Sequence, residues 1–208
     1  AVDLIMDAVD PEILYASTWN VRRSPHDFSS GGAGSVLWKS TDGGETWASL
    51  MENEGMPKGD MGIIGVTVSP VNPDRLWAII ENENGGVFRS DDGGKKWALV
   101  NSDRSLRQRA WYYSRIYADT KDADKVYVMN VAYHVSSDGG KTFKSNSAPH
   151  GDHQMQARAR SVRCSSHRFQ TLAQPKVLLA VLGFASACLS ARSCSCWLAL
   201  SWRYSGAQ

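Results

Sequence analysis

Apolar and polar residues alternate in short runs that recur at three places along the chain. Leu4 and Met6, Val66 and Val68, and Ile116 and Ala118 hold matching positions of such a run, the pattern of a strand with one face buried. Turn-forming residues follow each time: Val9-Asp10-Pro11-Glu12, Val71-Asn72-Pro73-Asp74 and Lys121-Asp122-Ala123-Asp124. A second strand, rich in β-branched and aromatic residues, is predicted over 13–18, 76–80 and 126–130. A third comes from Leu37-Trp38-Lys39, Val87-Phe88-Arg89 and Tyr133-His134-Val135. His134 stands where the other copies carry Trp38 and Phe88, which reads it as a core or edge imidazole rather than a metal ligand.

Between the third strand and a predicted fourth lies the same short turn: Ser40-Thr41-Asp42-Gly43-Gly44-Glu45-Thr46-Trp47, Ser90-Asp91-Asp92-Gly93-Gly94-Lys95-Lys96-Trp97 and Ser136-Ser137-Asp138-Gly139-Gly140-Lys141-Thr142-Phe143. The aspartates fall 50 and then 46 residues apart, a period typical of stacked supersecondary units. In this pattern the aspartate accepts hydrogen bonds from the amides of its own turn. Glycine takes the positive φ that closes the hairpin, and the aromatic returns to bury area between units. Ser40, Asp42, Gly44, Trp47, Ser90, Asp92, Gly94, Trp97, Ser136, Asp138, Gly140 and Phe143 are therefore structural staples. Four antiparallel strands per unit make a propeller blade. The expectation is an all-β chain: a β-propeller fragment of about three four-stranded blades, at about 1–60, 61–109 and 110–153, plus an unmatched C-terminal tail. Three blades fall short of the four or more that close a ring. That predicts a piece of a longer propeller, with its remaining blades as partners and two apolar faces left open.

The repeated turn resembles the Asp-box, or BNR repeat, of sialidases, xyloglucanases and sortilin/Vps10 propellers. Residues 13–19, 55–59, 107–113 and 149–153 are similar to stretches of large bacterial Vps10-like "glycosyl hydrolase" proteins carrying these repeats. The resemblance covers residues 1–153. It implies an extracellular or periplasmic location and a scaffold that binds protein, peptide or glycan, with glycoside hydrolysis of a polysaccharide as the alternative. Whether the chain is an enzyme stays open at this point. The sialidase Arg-Ile-Pro signature is absent, and no xyloglucanase acid pair is recognisable.

The composition changes after His153. Residues 154–208 hold no Asp or Glu, seven Lys plus Arg, nine Ser and all four cysteines, Cys164, Cys188, Cys194 and Cys196. The chain's net +2 comes from this tail; residues 1–153 carry 16 basic and 21 acidic side chains, about −5. An acidic repeat region argues against a nucleic-acid partner. The tail reads as translation in a shifted frame, as a disordered or helical segment, or as a membrane element. Its apolar run, 177–189, is shorter than the roughly 20 residues a bilayer needs. Cys194-Ser195-Cys196 lacks zinc-site spacing, and no motif calls for a metal or cofactor.

Strand direction places the loops between second and third strands on the same rim as the links between blades, opposite the Asp-boxes. The first blade's loop is long and holds Arg22, Arg23, His26, Asp27 and Phe28, followed by a Ser29-Ser30-Gly31-Gly32 stretch expected to be flexible. The link into blade three carries Arg104, Arg107, Arg109, Trp111, Tyr112 and Tyr113, and the next link carries His150, Asp152 and His153. Arginine forks beside aromatic rings suit carboxylates, sulfates or sugars. Arg22, Arg23, His26, Arg107, Arg109, Trp111, Tyr112, His150 and His153 are the candidate ligand-binding residues. Asp27, Asp152 and Tyr113 are the candidates for catalysis, which in glycosidases needs two carboxylates about 5 to 9.5 Å apart.

Overall fold

The computed structural model describes residues 1–112 and 114–146. Tyr113, His150, Asp152, His153, the four cysteines and the whole 154–208 tail lie outside the described residues. Three four-stranded antiparallel sheets account for nearly all of the regular structure. The first has β1 (Asp3–Met6), β2 (Leu14–Ser17), β5 (Leu37–Ser40) and β6 (Ala48–Ser49), with a separate hairpin, β3 (Val21–Arg23) and β4 (Phe28–Ser30), inserted between β2 and β5. The second runs β7 (Ile64–Val68), β8 (Leu76–Ile80), β9 (Gly86–Ser90), β10 (Ala98–Asn101). The third runs β11 (Arg115–Ala118), β12 (Val126–Met129), β13 (Tyr133–Ser136), β14 (Lys144–Asn146). Among the described residues no helix is long and apolar enough to cross a membrane.

The sheets fan from their first strands. β7 packs against both β1 and β11, and the Asp3 carboxylate accepts the Val66 amide at 3.3 Å while pairing with Arg115. First strands gathered side by side, with three further strands leading outward from each, are the geometry of neighbouring blades in a β-propeller. The chain is an all-β propeller fragment.

The middle blade is buried on both faces, which is why Leu76-Trp77-Ala78-Ile79-Ile80 is a continuous apolar run, every residue at 0% exposure. One face of it joins Tyr15, Leu37, Leu50 and Trp97 of the first interblade core through Ile64, Val66, Ala78 and Phe88. The other joins Ile116, Val126, Val128 and Leu106 through Trp77, Ile79 and Val87. Each large side chain fully buried in these seams stabilises the fold by about 1.5–3 kcal/mol. The outer flank of blade one shows the expected open face. Leu4 is 46% and Met6 49% exposed, whereas Val66 and Val68 in the same positions are 1% and 6%. The outer flank of blade three carries a 250 Å³ hollow lined in part by Tyr117, Tyr127, Met129 and Tyr133.

Each Asp-box is closed by its own serine and aspartate. Ser90 Oγ donates to Asp92 Oδ1 at 2.8 Å and accepts the Gly94 amide at 2.9 Å, while Asp92 accepts the Lys95 and Lys96 amides at 2.9 Å. The other two boxes repeat the arrangement. Both glycines sit at positive φ in all three, 68° to 95°, where a side chain is strained. These bonds hold the acids ionised. The Thr46 hydroxyl and amide lower Asp42 to about 2. At Asp138 burial opposes ionisation, but the Thr142 and Ser136 bonds outweigh it and again give about 2.

The boxes also join the blades, which local sequence did not foretell. The first glycine's amide donates within its own blade, Gly93 to Asp74 and Gly139 to Asp124. Its carbonyl accepts from the preceding blade: Gly93 O from Tyr15 Oη at 3.4 Å and Lys39 Nζ at 2.8 Å, Gly139 O from Trp77 Nε1 at 3.2 Å and Arg89 at 3.3 Å. The tryptophans of the boxes turn their indole N–H back onto the second glycine's carbonyl, at 3.0 Å in both Trp47 and Trp97.

Candidate ligand-binding rim

Opposite the Asp-boxes, the first-blade insertion stands up as a hairpin instead of the flexible stretch expected. Val21 pairs with Ser30, Arg22 with Ser29 and Arg23 with Phe28 across a Ser24–Asp27 turn closed at 2.7 Å. The alternation in Val21-Arg22-Arg23 and Phe28-Ser29-Ser30 around Ser24-Pro25-His26-Asp27 was the available signal. Blade two holds the hairpin upright. Trp19 Nε1 donates to Ser30 Oγ at 3.1 Å, Ser30 Oγ donates to Glu81 at 2.7 Å, and Glu81 also accepts the Ile63 amide at 2.9 Å. Gly31 and Gly32 anchor its base, with the Gly32 amide on Met61 O at 3.0 Å. Gly31 has φ 116°, and a Cβ there would lie 2.9 Å from the Met61 carbonyl, so only glycine fits.

The link from blade two to blade three is fixed by burial. Asp103 caps a 3-10 turn (Arg104–Arg107) by accepting the Ser105 amide at 2.8 Å, a bond that holds its carboxyl below the usual range. Leu106 and Ala110 are buried, Asn130 Nδ2 donates to Leu106 O at 2.8 Å, and Ser114 Oγ donates to Ala110 O at 2.7 Å. With Leu106 and Ala110 turned inward, Trp111 and Tyr112 are left outward at 41% and 57% exposure. Arg109 takes φ +50° in the turn closed by the Tyr112 amide on Arg109 O at 2.7 Å.

Hairpin and link meet. The Phe28 and Trp111 rings lie 5.3 Å apart at 57°, and Trp111 and Tyr112 lie 5.7 Å apart at 77°, both within the favourable range for tilted and edge-on rings. Phe28 keeps 40% exposure, so the pair forms a ledge open to solvent. Arg23, directly opposite Phe28 in the hairpin, shares its face; Arg22 lies on the other face. His26 and Asp27 sit exposed at the hairpin tip.

Arg107 departs from the free clamp that the sequence suggested. It is half-buried and its guanidinium donates to Asn82 O at 3.0 Å, tying the link to the loop after β8, while burial and the neighbouring Arg104 lower its hold on the proton. Trp111 and Tyr112, which interblade packing could have claimed, are exposed instead. Phe28 as a ring partner and Glu81 as the hairpin's anchor escaped the sequence reading, because both contacts join segments more than 50 residues apart. His150, Asp152, His153 and Tyr113 are outside the described residues. Among the described residues no three His, Cys, Asp or Glu side chains cluster as a metal site.

No protein-family model matches the chain. A xyloglucanase from Paenibacillus sp. is 31% identical over 114 residues, which is 51% of this chain and 10% of the relative; the chain thus spans about a tenth of that protein's length. Among solved structures, a GH74 xyloglucanase from Xanthomonas campestris is similar over 68% of this chain and 18% of its own, at 18% identity and a TM-score of 0.42. YCF48 bound to D1 peptide is similar over 61% of this chain and 42% of its own, at 17% identity and a TM-score of 0.42.

Proposed function

We propose that this part of the chain binds polysaccharide on the rim that carries the inserted hairpin. The observation that supports it is the solvent-open ledge of Phe28 against Trp111, built from two segments and held at 5.3 Å by blade two. Rings held rigid at an exposed face take the apolar faces of pyranose sugars at small cost in side-chain entropy, and loops on a rigid scaffold are the usual place for such a site. The 31% match to a xyloglucanase favours a carbohydrate over a peptide ligand. A polymer of that kind fits an exported, Vps10-like repeat protein.

Hydrolysis is the second reading, favoured by the same relative. It needs an acid pair flanking the scissile bond. Among the rim carboxylates, Glu81 is already engaged by Ser30 and Ile63, and Asp27 stands exposed at the hairpin tip, so the described geometry favours binding. Affinity electrophoresis of the full chain in gels holding xyloglucan, glucomannan or pectin tests the proposal. Retardation by at least one polymer, lost in Trp111→Ala and Phe28→Ala with the melting temperature kept, is the expected result. Unretarded migration in all three refutes it. Release of reducing ends that Asp27→Asn abolishes moves the conclusion to hydrolysis.

A further inference from the structure

The arginines divide into two populations by partner. Away from the rim, Arg75 pairs with Asp91 and Asp124 at 2.6 and 2.5 Å, Arg89 pairs with Asp91 at 3.0 Å, and Arg115 pairs with Asp3. Every one of these guanidiniums has a carboxylate. On the two rim segments, residues 18–35 and 102–114, five arginines stand against two aspartates, a local +3 in a repeat region that is otherwise acidic. Arg22, Arg23, Arg104 and Arg109 have neither an ion pair nor a side-chain hydrogen bond among the described residues. One of the two aspartates, Asp103, is turned into the backbone as a cap.

Two of these four cations neighbour the ring ledge along the chain or across the hairpin. Arg23 shares the hairpin face of Phe28, and Arg109 lies two residues before Trp111 in the same tight turn. A planar guanidinium recognises a carboxylate through two parallel N–H bonds. Sugar rings stacked on Phe28 and Trp111 would therefore present their substituents near two forks that have no carboxylate partner among the described residues. We infer that the rim selects an acidic glycan, a polymer of uronic-acid residues, with Phe28 and Trp111 taking the sugar faces and Arg23 and Arg109 the uronate carboxylates. This rests on the polysaccharide reading and narrows it to a substrate class.

Titration calorimetry of the 208-residue chain with tetragalacturonate, cellotetraose and a sulfated galactan tetrasaccharide tests the inference. Tetragalacturonate is expected to bind at least about tenfold more tightly than cellotetraose. That advantage shrinks as NaCl rises from about 50 to about 500 mM, because the guanidiniums are exposed to screening. Arg23→Gln and Arg109→Asn, the latter keeping a residue tolerant of positive φ, each weaken tetragalacturonate several-fold more than cellotetraose. Equal affinity for the acidic and neutral sugars, or a salt-independent preference, overturns the acidic-glycan inference while polysaccharide binding stands. A preference for the sulfated sugar overturns the carboxylate assignment. No binding of any of the three, with pectin and xyloglucan gels also negative, removes both. The salt series uses the unaltered chain, so it decides the matter even if a variant fails to fold.

Discussion

Replacing Ser90 by alanine should destabilise the fold far more than the same change at Ser40, although both serines are 1% exposed and make the same bonds. In each box the hydroxyl accepts the amide of the second glycine, Gly44 at 2.8 Å and Gly94 at 2.9 Å. The difference lies in what surrounds that amide. Gly94 is buried beneath Leu50 and the Trp97 ring, whereas Gly44 remains partly open to water. Ser90→Ala strands a buried donor, which costs about 1–3 kcal/mol, beyond the loss of the bond to Asp92. Ser40→Ala lets water take the place of the hydroxyl and should cost about 0.5–1 kcal/mol, the net worth of an ordinary hydrogen bond. Ser136→Ala should follow Ser90, since Gly140 is buried as well. Urea unfolding followed by tryptophan fluorescence reads the midpoints, and a kcal/mol corresponds to a shift of about 2–4 °C in a parallel thermal melt for a chain of this size. Equal losses at Ser40 and Ser90, with unchanged m-values, would show that burial of the turn does not set its strength and would refute the reasoning.

His134 is desolvated in the seam between blades two and three, which lowers its pKa, with Asp103 opposing in part. The unfolded imidazole therefore takes up its proton at higher pH than the folded one, and stability should fall as pH drops below about 6.5. His134→Phe, the residue type at the matching Phe88, should flatten that dependence in urea midpoints measured from pH 7.5 to 5. Asp42 and Asp138, held to about 2, contribute stability that is complete above about pH 4 and lost as pH falls toward 2; acid titration by circular dichroism reads it. Arg75→Met removes one ion pair within blade two, to Asp91, and one across the seam to blade three, to Asp124. Asp91 and Asp124 are about half exposed, so the loss should be about 1 kcal/mol and should shrink at high salt. Trp77→Phe keeps the ring in its pocket and removes one of the two hydrogen bonds to the Gly139 carbonyl, the one from Arg89 remaining, and should cost about 0.5–1.5 kcal/mol.

The blades were legible because their information is local. Strand alternation such as Val66 and Val68, the Asn72-Pro73-Asp74 turn and the Ser90–Trp97 box each act within a few residues, and the 50-residue period reports that they recur. Strand direction also placed the inserted loop and the blade links on one rim. What the sequence could not carry were choices of partner between distant segments. Nothing near Tyr15 announces that its hydroxyl seeks Gly93 O, 78 residues on. Arg107 and Arg109 look alike in Arg107-Gln108-Arg109, yet Arg107 ends the 3-10 turn and reaches Asn82 O, while Arg109 lies past its cap at positive φ with no side-chain partner among the described residues. The pairing of Phe28 with Trp111 depends on how far blade two lifts the hairpin, which follows from Glu81 and Ser30 together and from neither alone.

The glycine carbonyl that receives Tyr15 and Lys39, and its counterpart that receives Trp77 and Arg89, give the middle repeat a plug on one flank and a socket on the other. A gene segment encoding such a unit can be duplicated in tandem and arrive with both halves of its coupling already made. Ring size can then change by whole repeats without new chemistry at any junction, leaving the rim loops free to diverge toward different ligands.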